Sequence, residues 1–309
     1  MLGYTIRRIL QAIPVFFGTT LLIYFMVFAM PGDPIVALFG DHGVNEAVAE
    51  QLRVRYHLDQ PFIVQYLIYI GGVFQGDFGT SFSGQPVSEI LATTFPVTIR
   101  LALLSLLIEM VFGISIGLIS GLRKGKLFDA SALVVSLILL SLPIFVIAFV
   151  AQFVIALKLG WARATVSGGA PWEELILPAF VLATVSVAYI IRLTRASVIE
   201  TGQQDFVRTA YSKGLSRRRV IGVHILRNSL IPVVTFLAVD FGVLLVGATV
   251  TEGIFNVPGV GRTLYQAIIR GEGPTVVSFV TVMVLIYLVV NLVVDLLYAA
   301  LDPRIRYGK

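Results

Sequence analysis

The chain has 309 residues, of which 57% are hydrophobic and 13% are charged, and its mean hydropathy is +0.91. The apolar residues occur in long unbroken runs, which indicates an integral membrane protein. The net charge of +5 does not indicate nucleic-acid binding, because the basic residues flank the apolar runs instead of clustering with aromatic residues. The absence of cysteine excludes disulfides, thiolate catalysis and cysteine metal sites.

The apolar runs predict an all-α fold with six transmembrane helices. A helix needs about 20 predominantly apolar residues to cross the hydrocarbon core of a bilayer. The runs that meet this length are Ile9–Met30, Leu101–Leu122, Leu133–Leu157, Leu175–Ile191, Leu230–Val250 and Val276–Ala300. The third run contains Pro143, and neighbouring helices can tolerate a kink there.

A long segment of residues 31–96 separates the first run from the second. Within it, "NEAVAEQLRVRY" predicts a helix with Asn45 as its cap. Phe62–Phe74 is apolar but too short to span, so we expect it to pack on the outer surface or to lie at the membrane interface. The sequence therefore divides into residues 1–96, one membrane helix plus an extracytoplasmic insert, and residues 97–309, which hold the other five helices.

Positive charge is concentrated on one side of these helices. Most of the 23 Lys and Arg residues lie before the first run, between the second and third, between the fourth and fifth, or after the sixth. Loops on the cytoplasmic side carry such an excess of Lys and Arg. Both termini are therefore predicted to be cytoplasmic, and so is the basic segment of about residues 200–228.

This basic segment predicts a helix, a turn and a second helix. Ala210 and Gly214 are small residues four apart, Gly214 can end the first helix, and Ser216 can cap the second. A positive topogenic anchor is one explanation for the segment. The other is a docking element, in which a helix from about Gln204 to Lys213 enters a groove on a cytoplasmic partner.

In the docking explanation, several residues of this helix have a defined role. Ala210 and Gly214 permit close backbone approach, and Arg208 and Lys213 suit an acidic rim on the partner. Asp205 near the first turn favours the helix dipole.

The residues "RTAYSKGLSRRRVIGVHILRNSLIP" resemble the loop by which permease subunits of ABC importers dock on their ATPases. The opening Arg208-Thr209-Ala210 is similar to that of the dipeptide/oligopeptide/nickel family. Five further stretches carry the same resemblance in order: "RRILQAIPVFFGTTLLIYFMVFAMPGDP", "DQPFIVQYLIYIGGVFQGDFGTSF", "RLTRASVIE", "EGIFNVPGVGR" and "NLVVDLLYAALDPRIRYG". Val257 stands where the family often has Trp.

The resemblance implies a type I ABC importer permease fold in the cytoplasmic (inner) membrane. It implies a second, similar permease subunit in a heteromeric pair, two cytoplasmic ATPase subunits and an extracytoplasmic peptide-binding protein. ATP and Mg²⁺ would bind the partner subunits, because this chain has no "GxxxxGK[ST]" phosphate loop and no catalytic residues are assigned to it. The coupling residues that it implies are Asp205, Arg208, Thr209, Ala210, Lys213 and Gly214.

Polar side chains inside the predicted helices are candidates for the substrate pathway. An ionised side chain at mid-bilayer costs roughly 2.5–3.5 kcal/mol on insertion scales. Glu109 and Asp240 lie near the middle of their runs, and Asn291 is also deep. Asp240 either lines a wet pathway or bonds to a neighbouring helix, and Glu109 can secure the packing of "GISIGLISG". Asn291 and Asp295, four apart, can instead hold the sixth helix to its neighbours.

The function predicted is import of di- or oligopeptides, and three alternatives stay open. A permease of the same family can carry nickel or a metal chelate, although His42, His57 and His224 are scattered and no metal site is predicted. A proton-coupled secondary transporter would use carboxylates such as Asp240. An intramembrane enzyme would need Glu109 and Asp240 to meet at one depth.

Overall fold

The computed structural model describes residues 2–28, 46–55, 57, 59–81 and 83–301. These residues are helical apart from turns, connecting segments and one antiparallel bridge between Thr80 and Pro86. The all-α prediction is therefore confirmed. The helix predicted in the insert is observed, whereas its expected cap, Asn45, lies outside the described residues.

Six helices form the first half of the chain. They are α1 (Leu2–Phe28), α2 (Glu46–Arg55), α3 (Phe62–Phe74), α4 (Val87–Leu122), α5 (Leu127–Ser141) and α6 (Ile144–Lys158). Two of them contain π-helical turns, at Glu109–Gly113 in α4 and at Gln152–Lys158 in α6. Such turns insert one extra residue and re-aim the side chains that follow.

The second half begins with the longest helix. Its helices are α7 (Trp172–Gly202), α8 (Asp205–Ser212), α9, α10 (Thr249–Phe255), α11 (Val260–Ile269) and α12 (Gly273–Leu301). α9 starts with Arg217–Arg219, passes through a π-helical segment at Val220–Leu226, and continues as Arg227–Gly247.

Among the described residues, five helices are long and apolar enough to cross a membrane: α1, α4, α7, α9 and α12. The third predicted span, Leu133–Leu157, is observed as two helices, α5 and α6, bent by 105° at their junction. The expectation of one kinked helix there is wrong. Leu142 and Pro143 both have extended backbone, because a residue before proline disfavours the helical region and proline has no N–H to donate.

Several spans continue beyond their apolar runs. α4 begins at Val87 and α9 at Arg217, each more than ten residues before the predicted start, and α7 extends to Gly202. Hydropathy locates only the part of a helix that lies in hydrocarbon, whereas the backbone hydrogen bonds continue into polar sequence.

The chain forms two compact units, Met1–Thr98 with Pro258–Lys309, and Ile99–Val257. The N-terminal part of the first unit ends at Thr98, close to the boundary predicted at residue 96, but the unit also contains α12. α1 and α12 pack antiparallel: Arg8 lies 3.1 Å from Asp295 at one end, and Gly273 touches Val27 at the other. Asp295 thus holds the sixth predicted span to a neighbour, as expected.

α3 packs on α1 and α12 within this first unit. Its Tyr66 hydroxyl lies 2.9 Å from the Thr20 hydroxyl, and the Tyr69 hydroxyl donates to Thr281 at 2.8 Å. The apolar core around these bonds consists of Phe16, Tyr24, Tyr66, Ile70, Val73 and Val277. Of the two placements predicted for this segment, on the outer surface or at the membrane interface, the structure shows one face packed on the protein.

Three glycines bring α4 and α7 into close contact in the second unit. A Cβ at Gly113 would stand 2.6 Å from Ile190 Cγ2, and a Cβ at Gly117 would stand 2.6 Å from Thr194 Cβ. At Gly121 it would stand 2.8 Å from Val198. The small-residue face predicted in "GISIGLISG" is therefore a helix-packing surface, and it sets the distance between these two helices.

Candidate coupling site

The end of α7, all of α8 and the start of α9 form the segment predicted to contact a partner. α7 ends at Gly202, and the extended backbone of Gln204 starts α8. The N–H groups of Gln203 and Gln204 donate to the carbonyls of Glu200 and Thr201 at 3.1 and 3.2 Å. These bonds satisfy carbonyls at the end of α7 and fix the direction in which α8 leaves.

α8 ends in a Schellman motif at Gly214. Gly214 has φ of +75°, a left-handed conformation that glycine adopts without a Cβ penalty. Its N–H donates to the carbonyl oxygen of Tyr211 at 2.9 Å, and the N–H of Leu215 donates to the carbonyl oxygen of Ala210 at 3.3 Å. The predicted helix end is confirmed. Ser216 stands at the N-cap position of α9, but its side chain makes no capping bond within the described residues.

The inner face of α8 packs against its own chain. Val207 and Ala210 are 2% and 4% exposed, and they join a core with Val198, Val220 and Ile225. The expectation that Ala210 permits close approach of a partner is therefore wrong for this arrangement. Its small size lets α8 lie close to α7 and α9, and burial of Val207 contributes about 1.5–3 kcal/mol to holding it there.

The outer face of α8 carries the other predicted residues. Asp205 and Arg208 are 3.7 Å apart, but their side chains are 97% and 75% exposed, so the pair contributes less than about 1 kcal/mol and leaves both charges accessible. The remaining residues predicted for contact with a partner are also exposed: Thr209, Lys213 and Gly214.

Two aromatic side chains on α8 were missed by the sequence reasoning. Phe206 is 43% exposed and Tyr211 is 46% exposed, although both are large and apolar in most of their area. Aromatic residues are enriched at protein interfaces because they bury a large area with few rotatable bonds. The signal in the sequence was their helical spacing: Phe206 is four residues before Ala210 and Tyr211 four residues after Val207, so the two aromatics lie at the edges of the buried face.

A buried ion pair at the same end of the unit was also missed. Arg195 of α7 donates to both carboxylate oxygens of Asp129 in α5, with Nη2–Oδ2 at 2.8 Å. Asp129 also accepts hydrogen bonds from the Ser120 hydroxyl and from the N–H of Gly125 at 2.8 Å. One carboxylate therefore joins α4, the turn after it, α5 and α7.

The predicted pathway residues Glu109 and Asp240 come together in the second unit. Glu109 lies in the π-helical turn of α4 and is fully buried, and Asp240 on α9 is 8% exposed. Their carboxyl groups are within electrostatic reach of each other. Neither Glu109 oxygen has a hydrogen-bond partner among the described residues, and the same holds for Oδ2 of Asp240. Asn291 belongs to the other compact unit, where it is half-buried on α12.

Comparisons with known proteins match the whole length of the chain. Residues 113–307 match the family model of the binding-protein-dependent transport system inner membrane component, and residues 1–102 match the model of its N-terminal part. The di/tripeptide transport system permease protein DppB of Pseudomonas aeruginosa is 37% identical over 338 residues, covering 100% of both chains. The dipeptide transport system permease protein DppB of Escherichia coli K12 is also 37% identical, over 341 residues and 100% of both chains. That of Alkalihalophilus pseudofirmus is 34% identical, covering 99% of this chain and 100% of the relative.

Proposed function

Because the chain belongs to the family of binding-protein-dependent transport system inner membrane components, we propose that it is a permease subunit of an ATP-driven importer of di- or oligopeptides. This family is a transport component of the membrane and not a catalytic one. The observation that carries the peptide assignment is the full-length similarity to permeases named for dipeptide or di/tripeptide transport.

The proposed assembly contains a second permease subunit, two ATPase subunits and an extracytoplasmic peptide-binding protein. ATP and Mg²⁺ bind the ATPase subunits. The exposed side chains of α8 contact an ATPase, namely Phe206, Tyr211, Arg208 and Lys213, and the Schellman motif at Gly214 holds the end of this helix in place. Closure of the ATPases around ATP moves α8, and the packed core under α8 passes this movement to α7 and α9.

The proposed orientation places α8 and both termini in the cytoplasm. Positive charge around α8 supports it, because Lys and Arg are retained on the cytoplasmic side. The antiparallel packing of α1 and α12 supports a common side for both termini, since the Arg8 end of α1 meets the Asp295 end of α12.

Transport in a deletion strain tests the proposed function. We expect uptake of a labelled dipeptide to be lost on deletion of the gene, to return with the wild-type gene, and to require intact ATPase subunits. Uptake of nickel instead of peptide would assign the chain to the metal branch of the family. Peptide uptake that persists without ATPase subunits and follows the proton gradient would overturn the ATP-driven assignment.

A further inference from the structure

A basic cleft lies where α4 ends and where α5 and α9 begin. Its volume is about 460 Å³, within the range typical of ligand sites, and its lining residues are Leu122, Arg123, Lys126, Leu127, Phe128 and Arg217. Half of these residues are cations. Among the described residues, no acidic side chain forms an ion pair with Arg123, Lys126 or Arg217.

The turn that carries two of these cations is held by hydrogen bonds, one of them to a buried carboxylate. Gly125, at φ of +78°, donates its N–H to Asp129 at 2.8 Å, and the N–H of Lys126 donates to the carbonyl of Arg123 at 3.0 Å. Asp129 is itself only 2% exposed and is fixed by Arg195. The positions of Arg123 and Lys126 are thus set by the fold, unlike those of cations on a loose positively charged tail.

The charges in the cleft are not balanced within the chain. Lys126 stands at the N-cap position of α5, and Arg217 is the first residue of α9. Helix N-termini carry partial positive charge, so basic side chains there are unfavourable unless an anion is near. Asp129, the acidic residue in the first turn of α5, is already bonded to Arg195. An external anion would remove the unfavourable interaction.

An apolar residue at the cleft indicates where this anion comes from. Leu127 is 87% exposed beside the cations, and it begins a helix that continues as an apolar run. A free phosphate would leave Leu127 in water. The acyl chains of a phospholipid would cover Leu127 and the start of α5 while the phosphate lies between the three cations.

We propose that the cleft formed by Arg123, Lys126, Arg217 and Leu127 binds the headgroup of an anionic phospholipid at the membrane surface. The site does not depend on which solute is transported. One lipid would bind both the turn between α4 and α5 and the first turn of α9. That first turn of α9 follows the proposed coupling helix, α8, directly in the chain.

Native mass spectrometry of the full-length chain in detergent tests this proposal, with phosphatidylglycerol, phosphatidylcholine and soluble glycerol phosphate as probes. We expect wild type to retain phosphatidylglycerol in preference to phosphatidylcholine. The cleft variant combines Arg123→Gln, Lys126→Gln and Arg217→Gln, and its affinity for phosphatidylglycerol should fall on the order of 100-fold. The matched control combines Arg218→Gln, Arg219→Gln and Arg227→Gln, which removes equal charge from exposed positions outside the cleft, and should keep most of the binding.

A second variant, Leu127→Gln, keeps every charge. It allows the proposal to be tested even if the triple variant misfolds. It should weaken binding of phosphatidylglycerol severalfold without changing that of glycerol phosphate. The proposal is overturned if the control loses as much lipid as the cleft variant, or if glycerol phosphate binds as tightly as the lipid. It is also overturned if the cleft variant keeps the lipid and instead loses co-purifying ATPase subunits, since the cleft would then contact a protein.

Discussion

Arg195 and Asp129, 66 residues apart in sequence, form a two-bond ion pair that ties the end of α7 nearest α8 to the start of α5. The side chains are 22% and 3% exposed, so the charges are largely shielded from water. α7 leads directly into α8, and the helix that supports the proposed coupling site is therefore fixed at its base to a neighbouring span.

We expect Asp129→Asn to destabilise the chain by about 3 kcal/mol, because removal of one partner leaves the Arg195 guanidinium without its buried counter-charge. Thermal unfolding in detergent measures the effect. The control is Arg208→Gln, whose ion pair with Asp205 is exposed and contributes less than about 1 kcal/mol. Equal melting temperatures for Asp129→Asn and Arg208→Gln would contradict a structural role for the buried pair.

The contact between α4 and α7 at Gly117 leads to a second prediction. An added Cβ would stand 2.6 Å from Thr194 Cβ and 2.7 Å from the Ile191 carbonyl oxygen, and backbone cannot move aside cheaply. Gly117→Ala should therefore destabilise the chain by about 1–3 kcal/mol.

Gly18→Ala is the matched control for Gly117→Ala. Gly18 also lies inside a helix, and nothing stands within 4 Å of its added Cβ. Because alanine has the higher helix propensity, Gly18→Ala should be neutral or stabilising by up to about 1 kcal/mol. A melting temperature for Gly117→Ala at or above that of Gly18→Ala would mean that α4 and α7 are not closely packed in solution.

Hydropathy and turn residues were sufficient to predict much of this fold. Long apolar runs located the spans, and Gly214 marked the end of α8. The small-residue stripe predicted the packing of α4. The break at Pro143 was underestimated, because a proline in a span is compatible with both a kink and a complete turn, and the local sequence does not distinguish them.

The charged contacts could not be predicted. In the sequence, Asp129 lies between two predicted spans with nothing to indicate a partner, and its pairing with Arg195 depends on how α5 and α7 pack. Ala210 was predicted to permit close approach of a partner, because a small residue can contact either a partner or a helix of its own chain. Only the fold shows that it packs on its own chain. The meeting of Glu109 and Asp240 likewise depends on the contact between two helices distant in sequence.

The outer face of α8 can be tested without disturbing its core. Phe206→Ala combined with Arg208→Glu removes an exposed aromatic and reverses an exposed charge, so the melting temperature should change little. Peptide-stimulated ATPase activity of the assembled transporter should fall at least about tenfold, since truncating an interface anchor commonly costs 2 kcal/mol or more. Unchanged stimulation and unchanged ATPase co-purification would show that this face is not the contact.

A single-cysteine series tests the orientation, because the wild-type chain contains no cysteine. Ser216→Cys, on the proposed cytoplasmic side, should resist an impermeant thiol reagent added to intact cells and react after the cells are opened. Gln85→Cys, in the proposed extracytoplasmic insert, should react in both cases. Both positions are exposed, so accessibility within the fold does not decide the result. The reverse labelling pattern would invert the topology and exclude α8 as the ATPase contact.

The pair formed by Glu109 and Asp240 leads to the last prediction. Two acidic groups that face each other inside membrane-spanning helices, with three oxygens lacking partners among the described residues, are unfavourable for stability. A pair retained for transport should therefore show opposite effects on stability and on activity when one acid is neutralised.

We expect Asp240→Asn, which keeps the shape of the side chain, to raise the melting temperature by a few degrees, at about 2–4 °C per kcal/mol, while peptide uptake falls and the transporter still assembles. Glu109→Gln should behave in the same way, since it also removes one of the two buried acidic groups. If the carboxylate compensates the ammonium group of a passing peptide, N-acetylated peptides that the binding protein accepts should lose less transport in Asp240→Asn than free peptides do. A lower melting temperature with normal uptake in Asp240→Asn, together with failure of Asp240→Leu to assemble, would instead identify Asp240 as a hydrogen-bonding group between helices and remove it from the substrate pathway.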